Sequence, residues 1–482
     1  MPASVTPQSS PSHACCARLR GVQQNAPAKP NTTLAVVALI FLGLMMCCSG
    51  FMALGGFLGW KEAKSKASAL RGLDSFDAGV RDDDDAAPLP DDAERDVFAQ
   101  AVLDELDDEG HAGFRYDRDR FQVNGADGGM QMNLGNLYDE YALMPEEERP
   151  DAIKRFVSSL FPPELPRRWS EARANVLPSV RDRLFLELLS VRADKPAAVV
   201  QRALTDDLVE AIVYDGKNSM QFVGPSQLSD WGITEDALRA EAMKNLRART
   251  KKPFVEQSPG VWESPWADNY DLARVLLPEL ILKLKVKGEH LVFLPQRDHL
   301  IVTGTGDVGA LEAAAELVSD ALDQPRAGTG RGWKLTKAGL EPWVPEAKSP
   351  FYALHLEAQA RDANEQKGAL DEKFSDDGTD VFVGTTLFLD DPDGNPVTYA
   401  VWTKDADTLM PKAQFVVLID LEATGDEKMV AAGAWDDVMR KAGQKMVLEQ
   451  GYWPPRWRLK TFPDARTVKA IGKHPWFAKK SE

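Results

Sequence analysis

Cysteine is scarce, and its placement excludes more than its number. The chain of 482 residues has 4 cysteines (Cys15, Cys16, Cys47 and Cys48), all before Lys61. From Lys61 onward the chain therefore has no disulfide, no thiolate metal site and no cysteine nucleophile. Histidine is almost as thin: His13, His111, His290, His299, His355 and His474 show no His-x-x-x-His pairing, so no metal site is expected. Neither a Gly-x-Ser-x-Gly elbow nor a Walker phosphate loop occurs, and no cofactor is expected. Acidic residues are missing before Lys61, where Arg18, Arg20 and Lys29 stand alone. The remainder carries 54 Lys and Arg against 74 Asp and Glu. That excess repels phosphate backbones and argues against nucleic acid as a partner.

What is present first is an uncharged run, LAVVALIFLGLMMCCSGFMALGGFLGW, starting at Leu34 and stopping at Trp60. About 20 apolar residues suffice to cross the hydrocarbon core, and backbone buried there must satisfy its own hydrogen bonds as a helix. A signal peptide would have an apolar core of roughly 7–15 residues close to the start. A lipoprotein site at Cys47 is disfavoured by Met46, which stands where a small residue belongs. The segment therefore reads as a single-pass membrane anchor, making the membrane a partner. Lys and Arg near its ends (Arg18, Arg20 and Lys29 against Lys61, Lys64, Lys66 and Arg71) are too evenly split to fix sidedness, with a lean towards a cytoplasmic body. Residues 1–33, rich in Pro, Ser, Ala and Gln, read as a disordered tail. Residues 61–92 end in RDDDDAAPLPDD and read as an acidic linker. The aspartate run lacks the alternating ligands, central Gly and final Glu of a calcium loop.

The body reads as α+β, with antiparallel sheets and helices after the single transmembrane helix. In residues 93–325, AERDVFAQAVLDELDD places Phe98, Val102, Leu103 and Leu106 on one helix face. VEAIVYD and MQFVG form a hairpin. Thr234 caps a helix with Glu235 and Asp236 in its first turn, Arg247 and Arg249 near its end, and Leu238, Ala242 and Leu246 facing inward. PFVEQSPGVWESP and HLVFLPQRDHLIVTG are further hairpins. DNYDLARVLLPELILKL is a helix interrupted or kinked at Pro278, and LEAAAELVSDALDQ is another helix. Residues 326–350 read as a Gly/Pro-rich junction. Residues 351–482 form a second α+β unit that opens with a long polar helix, FYALHLEAQARDANEQKGALDEKF.

Two polar clusters are candidate ligand-binding sites. SPWADNYDLAR brings Asp268, Asn269, Asp271 and Arg274 around a helix start, where capping is the plainer role. PQRDH sets Arg297 and Asp298 in a hairpin turn. If both lie on one edge, Arg297 holds an anion and Asp271 or Asp298 serves as acid or base. GTGDVGA formally matches a dinucleotide-binding glycine pattern, but its strand belongs to a hairpin and no parallel strand follows, so it reads as a strand-to-helix turn.

TDDLVEAIVYD, LSDWGITEDALRAEAMKNL, SPWADNYDLARVLLPEL and LPQRDHLIVTG together resemble the bacterial YtpQ-like family, a domain of unknown function. The resemblance covers the middle third, residues 134–323. DVFVGTTLF, TYAVWT and YWPPRWRLKTFP resemble a companion module. The YtpQ-like resemblance implies a soluble, cytosolic domain, from which the anchor departs, and no established reaction or catalytic residue. The functional expectation is a binding or scaffolding module at the membrane surface with a protein partner. Trp402, Trp435, Trp453 and Trp457 are its candidate contacts. The alternative is a hydrolase-type enzyme or small-anion sensor using a polar cleft of the middle domain.

Overall fold

The computed structural model describes residues 92–477, apart from 126–130, 162–163, 193–195, 217–218, 325–326, 392–393 and 424–427. The first described part is a small unit of its own: α1 (Asp92–Asp108), the antiparallel strands β1 (Arg115–Asp117), β2 (Gln122–Asn124) and β3 (Gln131–Asn133), then α2 (Gly135–Leu143) and α3 (Arg149–Leu160). Phe98, Val102 and Leu106 of α1 form its core with Phe121, Val123 and Val157. The Met144–Pro145 break separates α2 from α3 because Pro145 holds an extended backbone there (φ −53°, ψ 142°).

A four-stranded antiparallel sheet follows α4 (Trp169–Ala172). It comprises β4 (Val176–Asp182), β5 (Gln201–Ala203), β6 (Leu208–Asp215) and β7 (Met220–Phe222), with α5 (Arg183–Arg192) after β4. Two helices come next: α6 (Pro225–Trp231) and α7 (Glu235–Arg249). Thr234 caps α7 by accepting from the Ala237 N–H, and Leu238, Ala242 and Leu246 are fully buried beneath it.

The largest sheet has six strands, ordered β13-β12-β10-β11-β9-β8: β8 (Val255–Ser258), β9 (Val261–Glu263), β10 (His290–Gln296), β11 (His299–Gly304), β12 (Gly332–Thr336) and β13 (Gly339–Trp343). Between β9 and β10 the expected helix is a 3-10 turn at Leu272–Leu276 and a single helical turn, α8 (Pro278–Ile281). Pro278 has no N–H and forces Leu277 out of helical backbone (φ −115°, ψ 61°), so of the two expected outcomes the helix is interrupted there rather than kinked. After β11, α9 (Val308–Leu322) buries Ala310, Ala314, Val318 and Ala321, whereas Leu311 and Leu317 are only partly covered.

The stretch expected as a junction, residues 326–350, instead supplies β12 and β13. Its glycines serve close packing: a Cβ on Gly332 would lie 2.5 Å from the Phe293 ring. The long polar helix, α10 (Tyr352–Asp376), buries Leu354, His355, Leu356, Asp362, Gln366 and Leu370. Beyond it are β14 (Phe382–Val383), β15 (Leu387–Asp390), β16 (Pro396–Thr403), β17 (Thr408–Pro411), β18 (Phe415–Ile419), β19 (Met429–Ala434), α11 (Trp435–Ala442), β20 (Val447–Glu449), β21 (Arg456–Leu459) and α12 (Ala465–Ile471). They build two sheets, β14-β17-β21-β20 and β15-β16-β18-β19. These are mixed rather than purely antiparallel, since β14 pairs parallel with β17 and β16 with β18.

The α+β character is therefore found, but the membrane-spanning part of the expected fold is corrected. Residues 34–60 lie outside the described residues, and among the described residues no helix is long and apolar enough to cross a membrane. The longest described helix, α10 at 25 residues, carries charged side chains along its length. The single-pass anchor, and the membrane localisation that rested on it, are withdrawn.

Candidate functional site

The two predicted polar clusters do meet. The loop after β9 lies against the turn joining β10 to β11, where Gln296 pairs with His299 and leaves Arg297 and Asp298 as the turn residues. Asp298 accepts a hydrogen bond from the Asn269 N–H at 2.6 Å. Asn269 and Ala267 both take left-handed backbone, with φ of 65° and 49°. Asn tolerates that conformation and Ala does not, so the surrounding contacts must hold Ala267 there.

Those contacts are dense. Arg274 is completely buried and donates to both carboxylate oxygens of Asp268 at 2.8 Å, while its Nε donates to Thr250 Oγ1 at 3.1 Å. Its guanidinium lies over the Trp266 ring, 4.0 Å from the centroid. Asp271 is also completely buried and accepts from the backbone N–H groups of Trp266 and Asp268 at 3.3 and 3.2 Å. Burial raises the Asp271 carboxyl above its ordinary range, opposed by Ser264, the loop amides and Arg274. At Asp268 burial pulls the same way, but the Arg274 hydrogen bonds win and hold it low. Arg297 is half-buried and engaged within the fold. The predicted site is a loop lock: its charged groups are consumed by one another and by backbone.

Beside it lies a pair missed in sequence. His299 Nδ1 is 2.5 Å from Glu263 Oε1, and Gln257 donates to Glu263 Oε2 at 2.6 Å. The Glu263 hydrogen bond holds the imidazole above its usual range, and the same bond holds Glu263 below. Adjacent antiparallel strands β9 and β11 create this pairing, which is invisible without their register.

A second group, also missed, sits under α10. Arg331, just before β12, is paired with Asp362 of α10 and lies 3.5 Å from Asp207. Asp207 also accepts from Thr205 Oγ1 at 2.5 Å and from the Trp333 indole at 3.2 Å. Arg361 approaches Asp362 at 3.7 Å and Glu365 at 3.6 Å. Asp182, at the end of β4, is pushed up to about 7 by burial and by Asp362, against the pull of Arg331. His355 is pushed down to about 4 by burial and by Arg331. Asp362 Oδ1 and His355 Nδ1 are buried without a hydrogen-bond partner among the described residues. One local signal was present: His355, Asp362 and Gln366 recur at helical spacing on a face otherwise occupied by Ala and Leu.

The four tryptophans separate. Trp402 and Trp435 belong to the C-terminal core, which removes both from the expected contact surface. Trp457 is partly buried against Trp435, 4.8 Å between centroids and near edge-to-face. Trp453 is half-buried with the Arg183 guanidinium 5.6 Å from its ring. The glycine pattern after β11 is structural: a Cβ on Gly304 would lie 2.1 Å from the Lys287 carbonyl oxygen, and Asp307 caps α9 through the Ala310 N–H.

Two open clefts lie away from these groups. One, of about 500 Å³, is lined by Arg115 to Asp119 with Asn124. The other, of about 740 Å³, is lined by Leu165, Arg167, Phe222 and Trp231. No group of His, Cys, Asp or Glu able to hold a metal ion occurs among the described residues. No family model, curated protein or solved structure matches the chain.

Proposed function

We propose that the protein is a binding or scaffolding module whose partner is another protein. One observation carries this reading: Asp271 and Arg274, the residues best suited by type to acid–base or anion chemistry, have no exposed surface. A group that acts on a substrate must reach it. Apolar groups, by contrast, stand at the surface. Phe185 and Leu189, one turn apart on α5, are 44% and 38% exposed, with Phe222 packed 5.9 Å from Phe185. Aromatic side chains and arginine, here Trp453 and Arg183 nearby, are the types that anchor protein interfaces. The YtpQ-like resemblance of the middle segment carries no reaction and accords with this reading.

Melting the chain against metabolites, nucleotides and metal ions tests it. The expected result is no shift with any chemical class, and crosslinking in the native host that recovers a protein partner. A reproducible rise in melting temperature with one class overturns it, because a ligand that binds only the folded state stabilises that state. The enzyme alternative rests on one observation, the Glu263–His299 pair, in which a carboxylate orients an imidazole as it does in general bases.

A further inference from the structure

The segment after α12 is seated on the sheet β15-β16-β18-β19, at the outer edge of β19. α12 ends at Ile471, which belongs to the C-terminal core. Gly472 follows with φ 72° and ψ −169°, backbone that residues bearing a Cβ rarely adopt, and the chain turns there onto the edge. The Ala432 N–H donates to the Gly472 carbonyl at 2.8 Å, and the His474 N–H donates to the Ala432 carbonyl at 2.8 Å. Lys473 stands opposite Ala432 in an isolated parallel bridge. From Pro475 to Phe477 the chain makes a 3-10 turn. Three rings of this segment surround Phe415 of β18: His474, Trp476 and Phe477, at 4.9, 4.8 and 5.7 Å between centroids. Phe477 also meets Tyr399 of β16 at 5.8 Å. Phe415 is left only 7% exposed, whereas Lys473, Pro475 and Trp476 face solvent.

We propose that the outer edge of β19 and the Phe415 ring form a docking groove for a peptide, and that residues 472–477 are its releasable resident. The resident displays the chemistry that the groove takes: backbone extended at first, for the sheet edge, and then a turn that offers two aromatic rings. Main-chain bonds to an edge supply affinity in such docking, and side-chain pockets supply specificity. Release leaves the fold intact because anchor and resident are separate. Ile471 stays in the core, Gly472 is the pivot, and Gly433 keeps the anchor close, since a Cβ there would lie 3.1 Å from Ile471 Cγ2. The resident grips the edge through Ala432, and its exposed side chains put it at the low end of local stability. Once it lifts, the Ala432 N–H and carbonyl are unpaired beside an uncovered aromatic ring, a combination that recruits another chain. The partner that fits is a peptide segment of the resident's own pattern. This rests on the binding role proposed above and names where a protein partner docks.

Hydrogen exchange of the chain tests release. The Ala432 and His474 amides are expected to exchange at least about a hundredfold faster than those of β18, which is paired on both sides. Exchange of all of them together, in global unfolding only, overturns the proposal. Docking is tested with a synthetic peptide of residues 472–477, titrated into the chain and into a form stopped after Ile471. The stopped form is expected to bind it, and the chain about tenfold or more weakly, because the tethered copy competes at high effective concentration. The double variant W476A/F477A of the chain keeps the resident backbone without its rings and is expected to bind the peptide better than the wild type does, a reading that survives if the stopped form fails to fold. The same two substitutions in the peptide weaken its binding about tenfold or more. No binding to any form, equal binding to the wild type and the double variant, or equal binding by the ringless peptide overturns the proposal. Each of these failures leaves the broader binding role standing, because only a melting shift with small molecules overturns that.

Discussion

The loop around Arg274 and the cluster under α10 use the same side chains to different ends. In the loop, Arg274 meets Asp268 in a two-pronged pair, and Asp271 is held by backbone amides. Under α10, Asp182, Asp207, Asp362 and Glu365 outnumber Arg331 and Arg361, and Asp362 Oδ1 lacks a hydrogen bond. A satisfied buried network fixes a shape, whereas one with surplus acid must keep a proton or lose stability. The first is a structural lock and the second is a place where pH enters the fold.

Breaking the lock gives the largest effect. Arg274→Ala leaves Asp268 and Asp271 without their cation and costs about 3–5 kcal/mol in denaturant unfolding. A loss under about 1 kcal/mol would remove the contrast. Next comes Asp182. Its carboxyl stands at about 7 when folded against an ordinary value of 3.8, raised by burial and Asp362 and opposed by Arg331 and Arg361. Between those values the folded chain binds a proton that the unfolded chain does not. The stability it contributes is thus full in acid and lost as pH rises through about 7. Asp182→Asn removes this dependence, so its melting temperature gains on the wild type by several degrees between pH 5 and pH 8. Parallel pH profiles for the two chains would show that the cluster holds no such proton.

The smallest effect belongs to the half-buried Glu263–His299 pair. His299 is raised by Glu263, so its contribution is full below the ordinary imidazole range and fades as pH rises through the raised value. Glu263, held low by the same bond, keeps its charge until acid. His299→Ala costs under about 1 kcal/mol near neutrality and less in alkali, because His299 reaches water and the half-buried pair is partly screened by it. A larger loss would make the pair part of the lock.

The legible parts of the fold were those written in neighbouring residues. Thr234 with its acidic first turn, the inward stripe of α7 and the β10–β11 hairpin are all local patterns. The misread parts were those where one residue answers to a distant one. Gly332 read as part of a Gly/Pro-rich junction because nothing nearby in sequence reveals the Phe293 ring against it. The parallel pairing of β16 with β18 skips over β17, which hairpin reasoning does not anticipate. Of the candidate site, the sequence left open whether the two clusters share an edge, which the Asn269–Asp298 contact answers, and it did not show the burial that consumes Asp271 and Arg274. The acid cluster draws Asp182, Asp207, Arg331 and Asp362 from four separate segments, and only the polar spacing along α10 hinted at it.

That helix is claimed from two directions. Asp362 is tied to Arg331 of the middle sheet, while Gln366, one turn on, accepts from the completely buried Arg456. The Arg456 guanidinium also donates to the carbonyls of Ala363, Gly384 and Leu409. A protease cut or gene truncation on either side of α10 would strip a buried arginine of its partners. The middle and C-terminal parts therefore have to be synthesised, kept and degraded as one piece, and shuffling either part alone into another protein would carry an unpaired charge with it.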